Sequence, residues 1–179
     1  LEPAAAANSP LARFLGENAI KTKLAIGHVR KRTRGEVSVA NTHPFVRELW
    51  GRHWVFAHNG TIKATRGLSM GRFRPIGSTD SERAYCHLME ALASSFDTYP
   101  REPRLLFEAV AEIGRTLGSR GSFNFLLGDG RHLFARCATK LCYIIRRAPF
   151  GKARLSDDDV TVDFSAVTTP RDRVAIVST

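Results

Sequence analysis

The chain has 179 residues, enough for one domain with a sizeable core and too few for two comfortable ones. Its composition, 43% hydrophobic and 25% charged, is that of a soluble globular protein, and no apolar run approaches the ~20 residues that a membrane-crossing helix needs. The net charge of +10 comes chiefly from arginines scattered between Arg13 and Arg173, so no single basic stripe specifies a nucleic acid.

The three cysteines, Cys86, Cys137 and Cys142, form an odd set without metal-ligand spacing, which argues against a secreted disulfide scaffold and suits a reducing cytoplasm. The sequence opens Leu1-Glu2-Pro3, with neither an initiator Met nor a secretory pattern. We therefore expect a start inside a larger polypeptide, with truncation open at the C-terminus as well.

Taken in chain order, Ser9-Pro10 reads as a helix start, with Leu11, Phe14 and Leu15 at helical spacing. Residues 23–29 and 36–40 read as strands about a turn at 31–35, and Pro44 permits only an edge or a loop. Residues 45–49 and 53–58 flank Trp50-Gly51-Arg52, which predicts a hairpin ending at an Asn59-Gly60 turn. The Gly-, Arg- and Ser-rich stretch 63–77 reads as a loop of the length that often covers a site.

Thr79 and Glu82 have capping-box spacing, and Ala84, Leu88, Ala91 and Leu92 recur at helical intervals to about Ser95. A second amphipathic helix follows over 103–117, with Leu106, Val110, Ile113 and Leu117 on one face and Gly118 as its stop. Residues 122–127, 132–137 and 141–146 read as an antiparallel meander, and 160–164 and 173–178 as two more strands. Strands, a helix pair and strands again predict an α+β domain of two sheets with helices outside.

Several residues carry chemistry. Arg30 ends the apolar run Leu24-Ala25-Ile26 and is either a two-point carboxylate clamp or a surface arginine beside Lys31 and Arg32. Asn59-Gly60 is either a pair of oxyanion donors or a plain hairpin turn. Asp80 is either an acceptor for an ammonium group or a favourable first-turn acid. His28, His43 and His58 suggest a metal, but no Cys or clustered acid completes a ligand pattern, so core histidines are expected and no metal or cofactor.

The order of four signatures, Gly27-His28-Val29-Arg30, Asn41-Thr42-His43-Pro44, Phe56-Ala57-His58-Asn59-Gly60 and Gly77-Ser78-Thr79-Asp80-Ser81-Glu82, resembles the glutamine-binding motifs of class II glutamine amidotransferases. These are N-terminal nucleophile hydrolases, and the likeness is closest to the stand-alone bacterial group related to γ-glutamyl amide hydrolases. It implies a four-layer αββα sandwich, here without its first strands, formed by residues 1–179 as one glutaminase domain. It also implies that Arg30 holds the substrate α-carboxylate, that Asn59 and Gly60 form the oxyanion hole, that Asp80 binds the α-amino group, and that Thr42 and His43 line the site.

The same likeness implies hydrolysis of the side-chain amide of glutamine, or of a γ-glutamyl amide, by a Cys at the mature N-terminus. Leu1 stands first here, so the chain as given is expected to be inactive. Two other functions remain open: a catalytically silent module that binds glutamine or a γ-glutamyl metabolite and, more weakly, a basic nucleic-acid-binding domain.

Overall fold

The computed structural model describes residues 10–18, 20, 22–29, 38–154 and 161–178, and divides into two compact units, Leu1–Lys140 and Leu141–Thr179. In the first unit, helix α1 (Pro10–Glu17) precedes strands β1 (Phe45–Leu49) and β2 (Arg52–Ile62), helices α2 (Asp80–Ser95) and α3 (Pro103–Gly118), and strands β3 (Gly121–Gly128) and β4 (Leu133–Arg136). The four strands form one antiparallel sheet in the order β1-β2-β3-β4. The second unit holds β5 (Cys142–Arg147) paired with β8 (Arg173–Ser178), and β6 (Lys152–Arg154) paired with β7 (Thr161–Asp163).

Strand alternation decides which face of the four-stranded sheet is covered. Trp54, Phe56 and His58 turn to one side of β2, and their neighbours Phe45, Phe125, Leu127 and Phe134 share it, all buried. Against them α2 sets Ala84, Tyr85, Leu88, Met89 and Leu92, and α3 sets Leu106, Val110 and Leu117. Tyr85 stacks on Phe56 with ring centroids 4.7 Å apart, and its hydroxyl donates to the Trp54 carbonyl at 2.7 Å. The α+β expectation therefore holds, with both helices on one face of the sheet.

The β1–β2 hairpin closes through Trp50 and Gly51, both left-handed (φ 56° and 72°), in the two-residue turn whose twist suits the flanking strands. The hairpin does not end at Asn59-Gly60, as the local turn signal suggests. β2 continues to Ile62, and Asn59 pairs with Asn124 and Gly60 with Phe123. Cross-strand pairing overrides the turn preference, and Gly60 is needed for another reason: at φ 145° a side chain there would overlap the Ser122 carbonyl.

Three other expectations are corrected. Residues 23–29 join no described ladder, although burial alternates along them and the Leu24 and Ile26 side chains pack over Gly128. Of the strand expected at 36–40, residues 36 and 37 lie outside the described residues, and Val39–Asn41 is a 3₁₀ turn held by Thr42 Oγ1 donating to the Ser38 carbonyl at 2.7 Å. The strand expected at 141–146 does not extend a meander from β4. It pairs with β8, a partner that local pattern cannot reveal.

The stretch 63–77 is a loop fastened to α2 along its length. The Ser69 carbonyl accepts from His87 Nδ1 at 2.6 Å, the Arg72 N–H donates to Glu90 at 3.2 Å, and Leu68 and Phe73 are buried. At its end the Glu82 carboxylate, 1% exposed, accepts from the N–H groups of Ile76 (2.9 Å) and Gly77 (2.7 Å) and from Arg47 (2.5 Å). Thr79 caps α2 by accepting from the Glu82 N–H at 3.2 Å, so the capping-box spacing is met while the Glu82 side chain serves the loop and Arg47.

Candidate active site

The segments carrying three of the four signatures converge at one end of β2. The first link is Asp80, in the opening turn of α2, whose Oδ2 accepts from the Ile62 N–H at 2.7 Å. This fixes a carboxylate beside the strand two residues beyond Gly60. The second link is Asn41, whose Oδ1 accepts from the Ser78 N–H at 2.9 Å. Gly77 lies so close to Asn41 and to the Ala40 carbonyl that a side chain there would overlap both. The turn carrying Thr42 and His43 is thereby held against the start of α2.

His43 is 7% exposed, and its ring lies 4.3 Å from that of His28 and 4.5 Å from that of Phe45. The signature beginning at Gly27 thus reaches the same cluster through His28. Arg30 lies outside the described residues. Among the described residues no group of three or more His, Cys, Asp or Glu is arranged to hold a metal ion.

Asn59 and Gly60 stand in mid-strand, both exposed. Alternation turns Asn59 away from the helices and Gly60 towards them. The Asn59 carbonyl accepts from Asn124 Nδ2 at 3.0 Å. Asn124, 3% exposed, also donates to Thr139 Oγ1 at 2.9 Å and accepts from the N–H groups of Ala138 (2.7 Å) and Thr139 (3.0 Å). Its amide therefore pins the backbone at Asn59 to the turn after β4.

Sequence reasoning overlooked Asn124, and it took His58 for one of three similar histidines. The available signal for His58 was its register: it continues the Trp54, Phe56 alternation onto the apolar face, where a polar ring needs partners. Those partners are Ser81 Oγ at 2.8 Å and the Ser122 carbonyl at 3.1 Å. Burial is the main reason its pKa lies below the ordinary imidazole value.

Cys86 is fully buried in α2, and burial pushes its thiol pKa up, while Cys137 and Cys142 are exposed.

A family model of class-II glutamine amidotransferases matches residues 1–179. The chain belongs to this family. It is 45% identical to an Escherichia coli K12 protein named "Putative glutamine amidotransferase YafJ", over 99% of this chain and 70% of that one. A Haemophilus influenzae protein named "Putative glutamine amidotransferase" is likewise 45% identical, over 98% of this chain and 59% of its own length. The crystal structure of a predicted glutamine amidotransferase from Pseudomonas aeruginosa superposes with a TM-score of 0.74 at 45% identity, covering 84% of this chain and 59% of that one. This class II amidotransferase domain thus shares the fold of a solved member and spans between about 59% and 70% of these three relatives. Among the described residues no helix is long and apolar enough to cross a membrane.

Proposed function

We propose that the domain binds L-glutamine or a γ-glutamyl amide and, in the native polypeptide, hydrolyses its side-chain amide to glutamate and ammonia or an amine. The observation that carries this reading is the Ile62–Asp80 hydrogen bond, which holds a carboxylate beside the strand bearing Asn59 and Gly60. One end of the site can thus take an α-ammonium group while the other faces the reacting amide. The domain, residues 1–179, acts as one glutaminase unit on a small molecule in the cytoplasm, and needs neither cofactor nor metal.

In this reading Arg30 pairs with the substrate α-carboxylate and Asp80 with its α-ammonium, while Thr42 and His43 line the pocket. The family resemblance supplies the nucleophile, an N-terminal Cys whose thiolate adds to the amide carbon. Asn59 and Gly60 donate to the oxyanion that forms, nitrogen leaves as ammonia or an amine, and water then cleaves the thioester. Cys86, Cys137 and Cys142 are internal residues without a free α-amine, so none of them fills this role.

The test is glutamate release from L-glutamine by the native polypeptide. Arg30→Ala raises KM with little change in kcat, and Asn59→Ala lowers kcat by about 100-fold. Saturable, L-specific binding without release by the native protein would assign the pocket to a silent binding module. Absence of both release and L-specific binding overturns the reading.

A further inference from the structure

His58 connects the two ends of the candidate site, and nothing in the reaction just described uses it. Its Nε2 lies 3.1 Å from the Ser122 carbonyl and its Nδ1 2.8 Å from Ser81 Oγ. A carbonyl oxygen only accepts, so Nε2 carries the proton and Nδ1 accepts from the Ser81 hydroxyl. One tautomer therefore satisfies both nitrogens of a ring that is 3% exposed. Phe123, with its ring centroid 5.0 Å away, packs against it.

The two partners belong to different parts of the site. Ser122 is the residue whose carbonyl excludes any side chain at Gly60. Ser81 directly follows Asp80 in the first turn of α2. His58 itself precedes Asn59. A single imidazole thus joins β2 at the Asn59-Gly60 step, β3 at Ser122 and α2 beside Asp80.

We propose that His58, with Ser81, is a positioning pair that sets the spacing between the donors at Asn59-Gly60 and the carboxylate of Asp80. The proposal rests on the glutamine reading above. A ligand held at both ends has a fixed length, and a small misplacement of one clamp relative to the other is costly in rate. The His58–Ser81 hydrogen bond is a short side-chain link between the strand and the helix that carry those clamps, and it works alongside the backbone link from Ile62 to Asp80.

The experiment compares two substrates of the native polypeptide: L-glutamine, and its desamino analogue glutaramate, which keeps the amide and the carboxylate but offers Asp80 no ammonium group. Ser81→Ala lowers kcat/KM for L-glutamine about tenfold, the scale of one hydrogen bond, and leaves glutaramate near the parent value. Ser81→Thr, which keeps the hydroxyl, restores L-glutamine turnover. In an Asp80→Asn background, Ser81→Ala has no further effect. His58→Gln, which can both donate and accept, gives a smaller loss in the same direction, and thermal melts confirm that each variant folds.

Equal losses on both substrates would mean a merely structural role and overturn the proposal, as would an active parent whose Ser81→Ala variant is unchanged. A parent that neither turns over nor binds L-glutamine overturns the glutamine reading and this inference with it.

Discussion

The sheet of β1 to β4 and the pair β5–β8 are built from similarly apolar strands, yet they differ in what their side chains meet. In β2 the two large aromatic residues, Trp54 and Phe56, share one face and are fully buried beneath the helices, while Val55 and Ala57 fall on the other. In β5, Tyr143, Ile144 and Ile145 are consecutive, so they fall on both faces, and they remain 73%, 52% and 62% exposed. On β8, Ile176, which pairs with Ile144, is 49% exposed, and Val174, which pairs with Arg146, is 42% exposed. The aromatic bulk of β2 lies on the one face that the helices cover, whereas the large apolar residues of β5 are divided between its two faces. The first sheet has its cover in α2 and α3, and the core forms there.

The contrast is most directly broken by truncating one side chain in each region. Trp54→Ala costs about 4 kcal/mol of stability in urea denaturation followed by circular dichroism, whereas Ile145→Ala costs less than about 0.5 kcal/mol. A cost above about 2 kcal/mol for Ile145→Ala would mean that β5 is covered in solution.

The polar anchor of the first region sharpens the comparison. Glu82→Gln removes the charge opposite the Arg47 guanidinium and turns one of the oxygens that accept from Arg47, Ile76 and Gly77 into a donor, and costs about 3 kcal/mol, measured in the same way. The β5–β8 pair offers no equivalent, since among its described residues no ion pair is found.

The smallest effect concerns pH. Burial holds His58 below the ordinary imidazole value, with Asp80 drawing its pKa up and His28 pushing it down. In the window between the lowered value and about 6.5 the unfolded chain binds more protons than the native one, so stability is full above that window and falls as pH drops through it. Denaturation midpoints across this range show the slope, and His58→Gln flattens it.

Much of the first region was legible because its signals are local. The Thr79 cap, the helical spacing through Leu92 and the Pro103 start mark α2 and α3, and the turn between Leu49 and Arg52 marks the first hairpin. Signals failed where pairing is between distant segments. Asn59-Gly60 carries turn chemistry but lies in mid-strand, because β3 supplies a partner for every residue through Ile62. The partner of β5 lies some thirty residues on and leaves no trace in its own pattern. In the site, the motifs around Asn59 and Asp80 were visible as residue types, whereas the use of His58 and Asn124 depends on which face of the strand each occupies. Arg30 lies outside the described residues.

The fastening of the loop to α2 has a kinetic consequence. A segment held at Ser69, Arg72, Ile76 and Gly77, with Leu68 and Phe73 sunk in the core, cannot swing without breaking several contacts together. If Asp80 holds the ligand as proposed, association there waits on no gating step in this loop, and its rate climbs in proportion to ligand concentration instead of levelling off at an opening rate.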